Sequence, residues 1–170
     1  MTAEELRALQ APLKDRYRED PATARATLTV RGALDVGRVV CRIETGRGPV
    51  TSAGLHPMTG GDGSWACSAD MLLEALVGCA GVTLCAVATA MNIPVTGGTL
   101  MAEGDLDFRG TLGVSKESPV GFRAIRVTCA LQTTADEGQL EQLAKLTERY
   151  CVVAQSLSES ARPRVECRRV

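Results

Sequence analysis

The sequence predicts a mixed α/β (α+β) fold organised around one buried helix. Residues 68–91, SADMLLEALVGCAGVTLCAVATAM, are apolar or small at nearly every position, and Glu74 is the one charge after Asp70. Stretches within 25–45, 98–109 and 122–132 alternate apolar and polar residues, the period of a half-buried strand. A second helical pattern follows from Thr134, with its apolar residues on one stripe. At 170 residues the chain is long enough for one domain with a real core.

Taken in order, residues 3–19 read as a polar amphipathic helix with Leu6, Leu9, Leu13 and Tyr17 at spaced positions. Pro12 is expected to break or kink it. Residues 1–24 form an N-terminal helical arm, read as a lid, a dimer arm or simply a solvated helix, and 25–170 the main domain. ATLTVRG and VVCRIET are expected as two strands about a turn between Gly32 and Gly37, with Val39, Cys41 and Ile43 on one face. Residues 46–67 are rich in Gly and Pro and read as a loop without regular structure, a class often functional. They hold His56, the only histidine, and Trp65, the only tryptophan. His56 reads as a base or ligand beside Cys79 or, more simply, as a loop histidine bonded to backbone. Gly60 and Gly61 are followed by no phosphate-loop signature.

The central helix begins with Ser68 as its expected N-cap and Asp70 in its first turn. Leu72, Ala75, Leu76, Cys79, Val82, Thr83 and Ala86 form one stripe; Leu73, Val77, Ala80, Leu84 and Val87 form another. A helix apolar nearly all round is expected to be buried on nearly all sides, and its Gly and Ala residues permit close approach of another backbone. The length would also span a bilayer. Glu74 and the lack of flanking Lys or Arg favour a soluble core helix instead. The helix ends before Pro94.

Ile125, Val127, Cys129 and Leu131 are expected to point inward from their strand. Asp105, Asp107 and Arg109 alternate on what reads as a solvent-facing strand face, although Arg109 is also a candidate functional guanidinium. The second helix opens on a capping box, Thr134 to Glu137. Its stripe runs Leu140, Leu143, Ala144, Thr147, Tyr150, Cys151 and Ala154. PRVECRRV closes the chain as an edge strand.

Composition narrows function. With 19 basic against 20 acidic residues there is no electrostatic footprint for nucleic acid or an anionic membrane. Aromatic residues are too scarce for base stacking. The charged N-terminus has no signal-peptide pattern, so the chain is expected in the cytoplasm with its seven cysteines reduced. No Cys-x-x-Cys or other metal-ligand spacing occurs, and no metal or cofactor is expected.

Cys79 and Cys151 both fall on core-facing stripes. If the two helices pack together, their sulfurs come within disulfide reach. Such a pair suits thiol redox chemistry, in which a thiolate is oxidised to sulfenic acid and a second thiol condenses with it. The plainer reading is two small buried hydrophobes.

SADMLLEALVGCAGVTL, TERYCVVAQSL and the preceding GLHPMTGGDG together resemble the OsmC/Ohr family, over roughly residues 25–170. The resemblance implies an intertwined α/β homodimer, with two central cysteine-bearing helices wrapped by antiparallel sheets. It implies an antioxidant, stress-response thiol peroxidase that reduces organic hydroperoxides and is itself reduced by a dithiol, such as a lipoylated protein. Cys79 matches the peroxidatic position and Cys151 the resolving one. The family activates its thiol with an arginine and a glutamate. The glutamate stands ten residues before the cysteine, where this chain has Ala69. Neighbouring Asp70 matches a second, non-catalytic acid of the pattern and is the available substitute. Arg31 and Arg38 lie in the region of the arginine; Arg109 is an unaligned alternative. The substrate pocket is expected to be apolar, walled by Leu72, Leu76, Val82 and Met91, with His56 nearby. Without the glutamate, the same dimer could instead bind a small apolar ligand without turnover.

Overall fold

The computed structural model describes residues 1–44 and 50–170; Thr45 of the expected second strand and the start of the expected loop lie outside them. Helix α1 (Ala3–Glu19) opens on a capping box between Thr2 and Glu5 and buries none of its residues. It runs straight through Pro12, contrary to the expected break. Proline's fixed φ is compatible with a helix, and on an exposed helix water can satisfy the carbonyl that loses its partner.

Strands β1 (Arg31–Asp35) and β2 (Val40–Glu44) form an antiparallel hairpin, paired from Arg31 with Glu44 to Asp35 with Val40. Residues 25–30 have no regular structure, so the expected first strand starts only at Arg31. Val39 sits in the turn at φ 56° and is exposed, so Val40 is the residue that turns inward. Cys41 and Ile43 still share the half-buried face as expected, while Arg42 and Glu44 are exposed.

The expected structureless loop contains β3 (Thr51–Gly54), a 3-10 turn (Pro57–Thr59) and β4 (Ala66–Cys67). One four-stranded sheet has the order β1-β2-β3-β4, with β3 and β4 parallel. The second comprises β5 (Val95–Asp105), β6 (Ala124–Thr133) and β7 (Arg164–Arg169), with β6 and β7 parallel. Both sheets are therefore mixed rather than antiparallel throughout. A parallel pair needs a crossover, supplied between β6 and β7 by α4 (Glu137–Tyr150). At the start of β5, Gly98 adopts φ 153° beside a register shift, and a Cβ there would lie 2.5 Å from the Ala130 carbonyl oxygen.

Helix α2 (Ser68–Ala90) follows β4 directly. Cys67 keeps the extended backbone of the strand, so it takes the N-cap position and Ser68 becomes the first helical residue. Leu76, Ala80, Leu84 and Ala88, spaced at i+4, form the buried stripe. Complete burial of a leucine such as Leu76 contributes about 2 kcal/mol. The stripe joins one core with Ile125, Val127, Cys129 and Leu131, all inward as expected, and with Leu143 and Ala144 of α4. The other faces of α2 are not covered within the chain: Val82 is 73 % exposed. By length and composition α2 is also apolar enough to cross a membrane.

Two later boundaries differ from expectation. Asp107 and Arg109 leave the strand: Asp107 caps the short helix α3 (Phe108–Thr111), and Arg109 lies within it. The capping box of α4 joins Asp136 and Gln139, two residues later than expected. The Thr133 hydroxyl already ties off β6, donating to the Pro94 carbonyl and accepting from the Ala135 N–H.

Candidate active site

Two elements bring Cys79 and Cys151 together. Cys79 occupies the middle of α2, on the half-buried flank of its core stripe. Cys151 was expected inside a continuous helix, but it breaks that helix. Its backbone is extended (φ −72°, ψ 108°), closing α4 and opening α5 (Val152–Ser156). Its N–H donates to the Thr147 carbonyl at 3.0 Å, while its sulfur accepts the Ala154 N–H at 3.5 Å. Tyr150, expected on the stripe, is turned outward by the same break and is exposed. Cys151 itself is fully buried.

Both cysteines are free thiols, and each bears on the acidity of the other. Burial pushes the Cys79 thiol up. The Val153 N–H, the Cys151 thiol, the Val152 N–H and the Thr83 hydroxyl outweigh it, and the net shift is below the ordinary cysteine value. Cys151 moves the other way, raised chiefly by burial and further by the neighbouring Cys79. A thiol pulled down beside one pushed up is a nucleophile paired with a proton-holding partner. The donors that lower Cys79 are neutral, whereas the sequence argument required a cation. Thr83, one turn beyond Cys79, was legible from i+4 spacing; the N–H groups of α5 depend on the break at Cys151 and carry no sequence signal.

The remaining candidate residues are dispersed in the single chain. Arg31 is exposed on β1, and Arg38 lies in the β1–β2 turn beside a cleft that includes Trp65. Arg109 is held by Asp107 through paired hydrogen bonds. None of the three contributes to the shift of Cys79. Asp70 is exposed in the first turn of α2, nine residues before Cys79 and so about 13 Å along the axis. Leu76 belongs to the core, Val82 faces outward, and Met91 packs against the core at the far end of α2.

Leu72 and His56 do meet, in a cleft of about 400 Å³ that also includes Ala69, Phe108 and Phe122. His56 accepts the Met58 N–H through Nδ1 at 3.0 Å and stacks on Phe108, with ring centroids 4.7 Å apart. The backbone-bonded reading of this histidine thus holds, and its aromatic partner was not anticipated. Among the described residues, no three His, Cys, Asp or Glu side chains converge as a metal site.

The architecture and the thiol pair define a class: α+β proteins with a long apolar helix whose cysteine faces a second cysteine at a helix junction. The family profile described as OsmC-like protein matches residues 61–166, and the chain belongs to that family. Solved structures agree in fold. An OsmC-like protein from Mycoplasma pneumoniae superposes with a TM-score of 0.69 at 13% identity, covering 85% of this chain and 98% of its own. An organic hydroperoxide resistance protein OsmC from Legionella pneumophila gives 0.66 at 16% identity, covering 84% and 98%. An organic hydroperoxide resistance protein from Elizabethkingia anophelis gives 0.67 at 11% identity, covering 86% and 99%. No curated protein sequence matches the chain significantly.

Proposed function

We propose that the protein is a cytoplasmic thiol peroxidase that reduces organic hydroperoxides through Cys79 and Cys151. The observation that carries this reading is the packing of a free thiol on α2 against the core that holds a second free thiol at the α4–α5 junction, with Cys79 the more acidic of the two. The Cys79 thiolate attacks the O–O bond of the hydroperoxide: an S–O bond forms, the O–O bond breaks, and the alkoxide leaves as alcohol after taking a proton. The resulting sulfenic acid is attacked by Cys151, a disulfide forms, and water leaves. A dithiol such as a lipoylated protein returns both thiols. The apolar surroundings of Cys79 favour an organic hydroperoxide over hydrogen peroxide.

A homodimer is part of the proposal. Val82 is exposed on α2, and among the described residues nothing beyond the helix's own backbone lies within 4 Å of a Cβ placed on Gly78. A second copy laid against this face would cover Cys79. It could also supply the cation that the single chain lacks there, from Arg31 or Arg38, since Arg109 is engaged by Asp107.

Stopped-flow oxidation of the reduced protein by cumene hydroperoxide, followed by peptide mapping, tests the activity. Fast oxidation to a Cys79–Cys151 disulfide is expected, with the fast phase lost in Cys79→Ser. A second reading, a dimer that binds a small apolar ligand without turnover, is favoured by Ala69 at the position of the family's glutamate. Slow oxidation that leaves both thiols intact would select it.

A further inference from the structure

We propose that Cys129 and Cys167 form a second dithiol, separate from Cys79 and Cys151, that closes to a disulfide by exchange with a small external disulfide. The two residues stand directly opposite each other on the parallel strands β6 and β7. Neighbouring strands lie about 4.8 Å apart. That is within the roughly 4.4–6.8 Å between Cα atoms that a disulfide spans. In a parallel pair, opposed side chains share a face. Here it is the inner one, because Val127 and Val165, the preceding opposed pair two residues back, are both buried. The two cysteines are free, and each thiol bears on the acidity of the other.

The pair is asymmetric in access. Cys129 is completely buried, so no external reagent reaches it first. Cys167 is only partly buried and lines an open cleft of about 460 Å³ between β7 and the start of α4, together with Arg168, Arg169, Asp136 and Glu137. The chemistry runs the same way: the neighbouring Cys129 thiol lowers that of Cys167, and Cys167, reinforced by burial, raises Cys129. Cys167 is thus the attacking thiolate and Cys129 the proton-holding partner.

The exchange balances. The Cys167 thiolate attacks one sulfur of the external disulfide; a mixed disulfide forms and one small thiolate leaves. The sulfur of Cys129 then attacks Cys167, the mixed disulfide breaks, and the second small thiolate leaves with the proton given up by Cys129. Two electrons pass from the pair to the external disulfide, and a dithiol reverses the reaction. The outcome fastens the edge strand β7 covalently to the central strand β6. None of these steps uses Cys79, so the inference does not depend on the peroxidase reading.

The experiment treats the reduced full-length protein with excess oxidised glutathione, alkylates the remaining thiols and maps tryptic peptides. A parallel sample unfolded in urea, in which every cysteine is accessible, serves as the control for reagent delivery. The expected result is the peptide Val127–Lys145 linked to Val165–Arg168 in wild type and equally in Cys79→Ser, with the link lost in Cys167→Ser. Cys167→Ser should leave the rate of cumene hydroperoxide oxidation at Cys79 unchanged. The proposal is overturned if both peptides are alkylated in the folded protein while the unfolded sample carries glutathione. Glutathione on Cys167 with Cys129 left free also overturns it.

Discussion

Thr147 has no exposed surface, and its hydroxyl finds no hydrogen-bond partner among the described residues. A buried polar group without a partner costs about 1–3 kcal/mol. Thr147→Val keeps the shape and removes the orphan oxygen, so urea denaturation should give a variant more stable by about 1 kcal/mol. At this same scale the two candidate cysteines were legible from the sequence, because their stripe positions and flanking residues mark them. What sets their acidity was not legible. The sequence argument looked for a charged neighbour, whereas the groups that lower Cys79 are backbone N–H donors and Thr83. Backbone donors have no letter in a sequence; they appear only once Cys151 is known to end one helix and begin another.

Among the elements, α3 shows how one carboxylate organises a turn. Asp107 accepts the Arg109 backbone N–H at 3.1 Å, the Arg109 guanidinium and the Ser118 hydroxyl at 3.1 Å. These bonds, the Arg109 guanidinium first, hold its carboxyl well below the usual carboxylate range. A group depressed in the folded state stabilises fully above its unfolded value, about 3.9 for aspartate, and loses that contribution as pH falls through the folded value. The Arg109 amide resonance should therefore stay constant through mild acid and move only below about pH 4. NMR would follow it, and in Asp107→Asn the transition should vanish. Long, strongly patterned elements were the readable ones: α2, α4 and the inward alternation of β6 lie where the sequence predicts. The boundaries were less readable, since a cap belongs to whichever residue the preceding strand releases. Thr133 is held by Pro94 and Ala135, which moves the α4 cap on to Asp136. Parallel pairing is a property of chain routing, so the facing of Cys129 and Cys167 was hidden as well.

For the whole molecule, the distribution of buried surface bears on assembly. The second sheet and α4 share the core with α2, whereas the first sheet buries little of its own: Val40 is buried, but Leu34 and Val36 are 79% and 82% exposed. A sheet so thinly covered, beside an apolar helix face left open, leaves the proposed second copy a large part in stability. The thermal midpoint is expected to rise with protein concentration, as binding to the folded state requires. Gly78 offers a sharper test. In a lone helix Gly78→Ala removes a backbone penalty of about 1 kcal/mol and stabilises. In a close-packed homodimer the larger Gly78→Val should weaken association about tenfold, a cost of about 1.4 kcal/mol, measured by sedimentation of a dilution series in the analytical ultracentrifuge.

Cys151 links these scales. Its N–H completes α4 and its sulfur caps α5, so one atom serves both as reagent and as structural acceptor. Any bond formed at that sulfur changes how well it receives the Ala154 N–H, and hence how firmly the first turn of α5 is wound. Linkage makes the exchange mutual: whatever loosens α5 must alter the equilibrium of bond formation at Cys151 by the same free energy. In the proposed cycle the oxidation state would then be written into the winding of a helix five residues long. A binding partner that grips α5 would sense the redox state of the thiols without touching either sulfur.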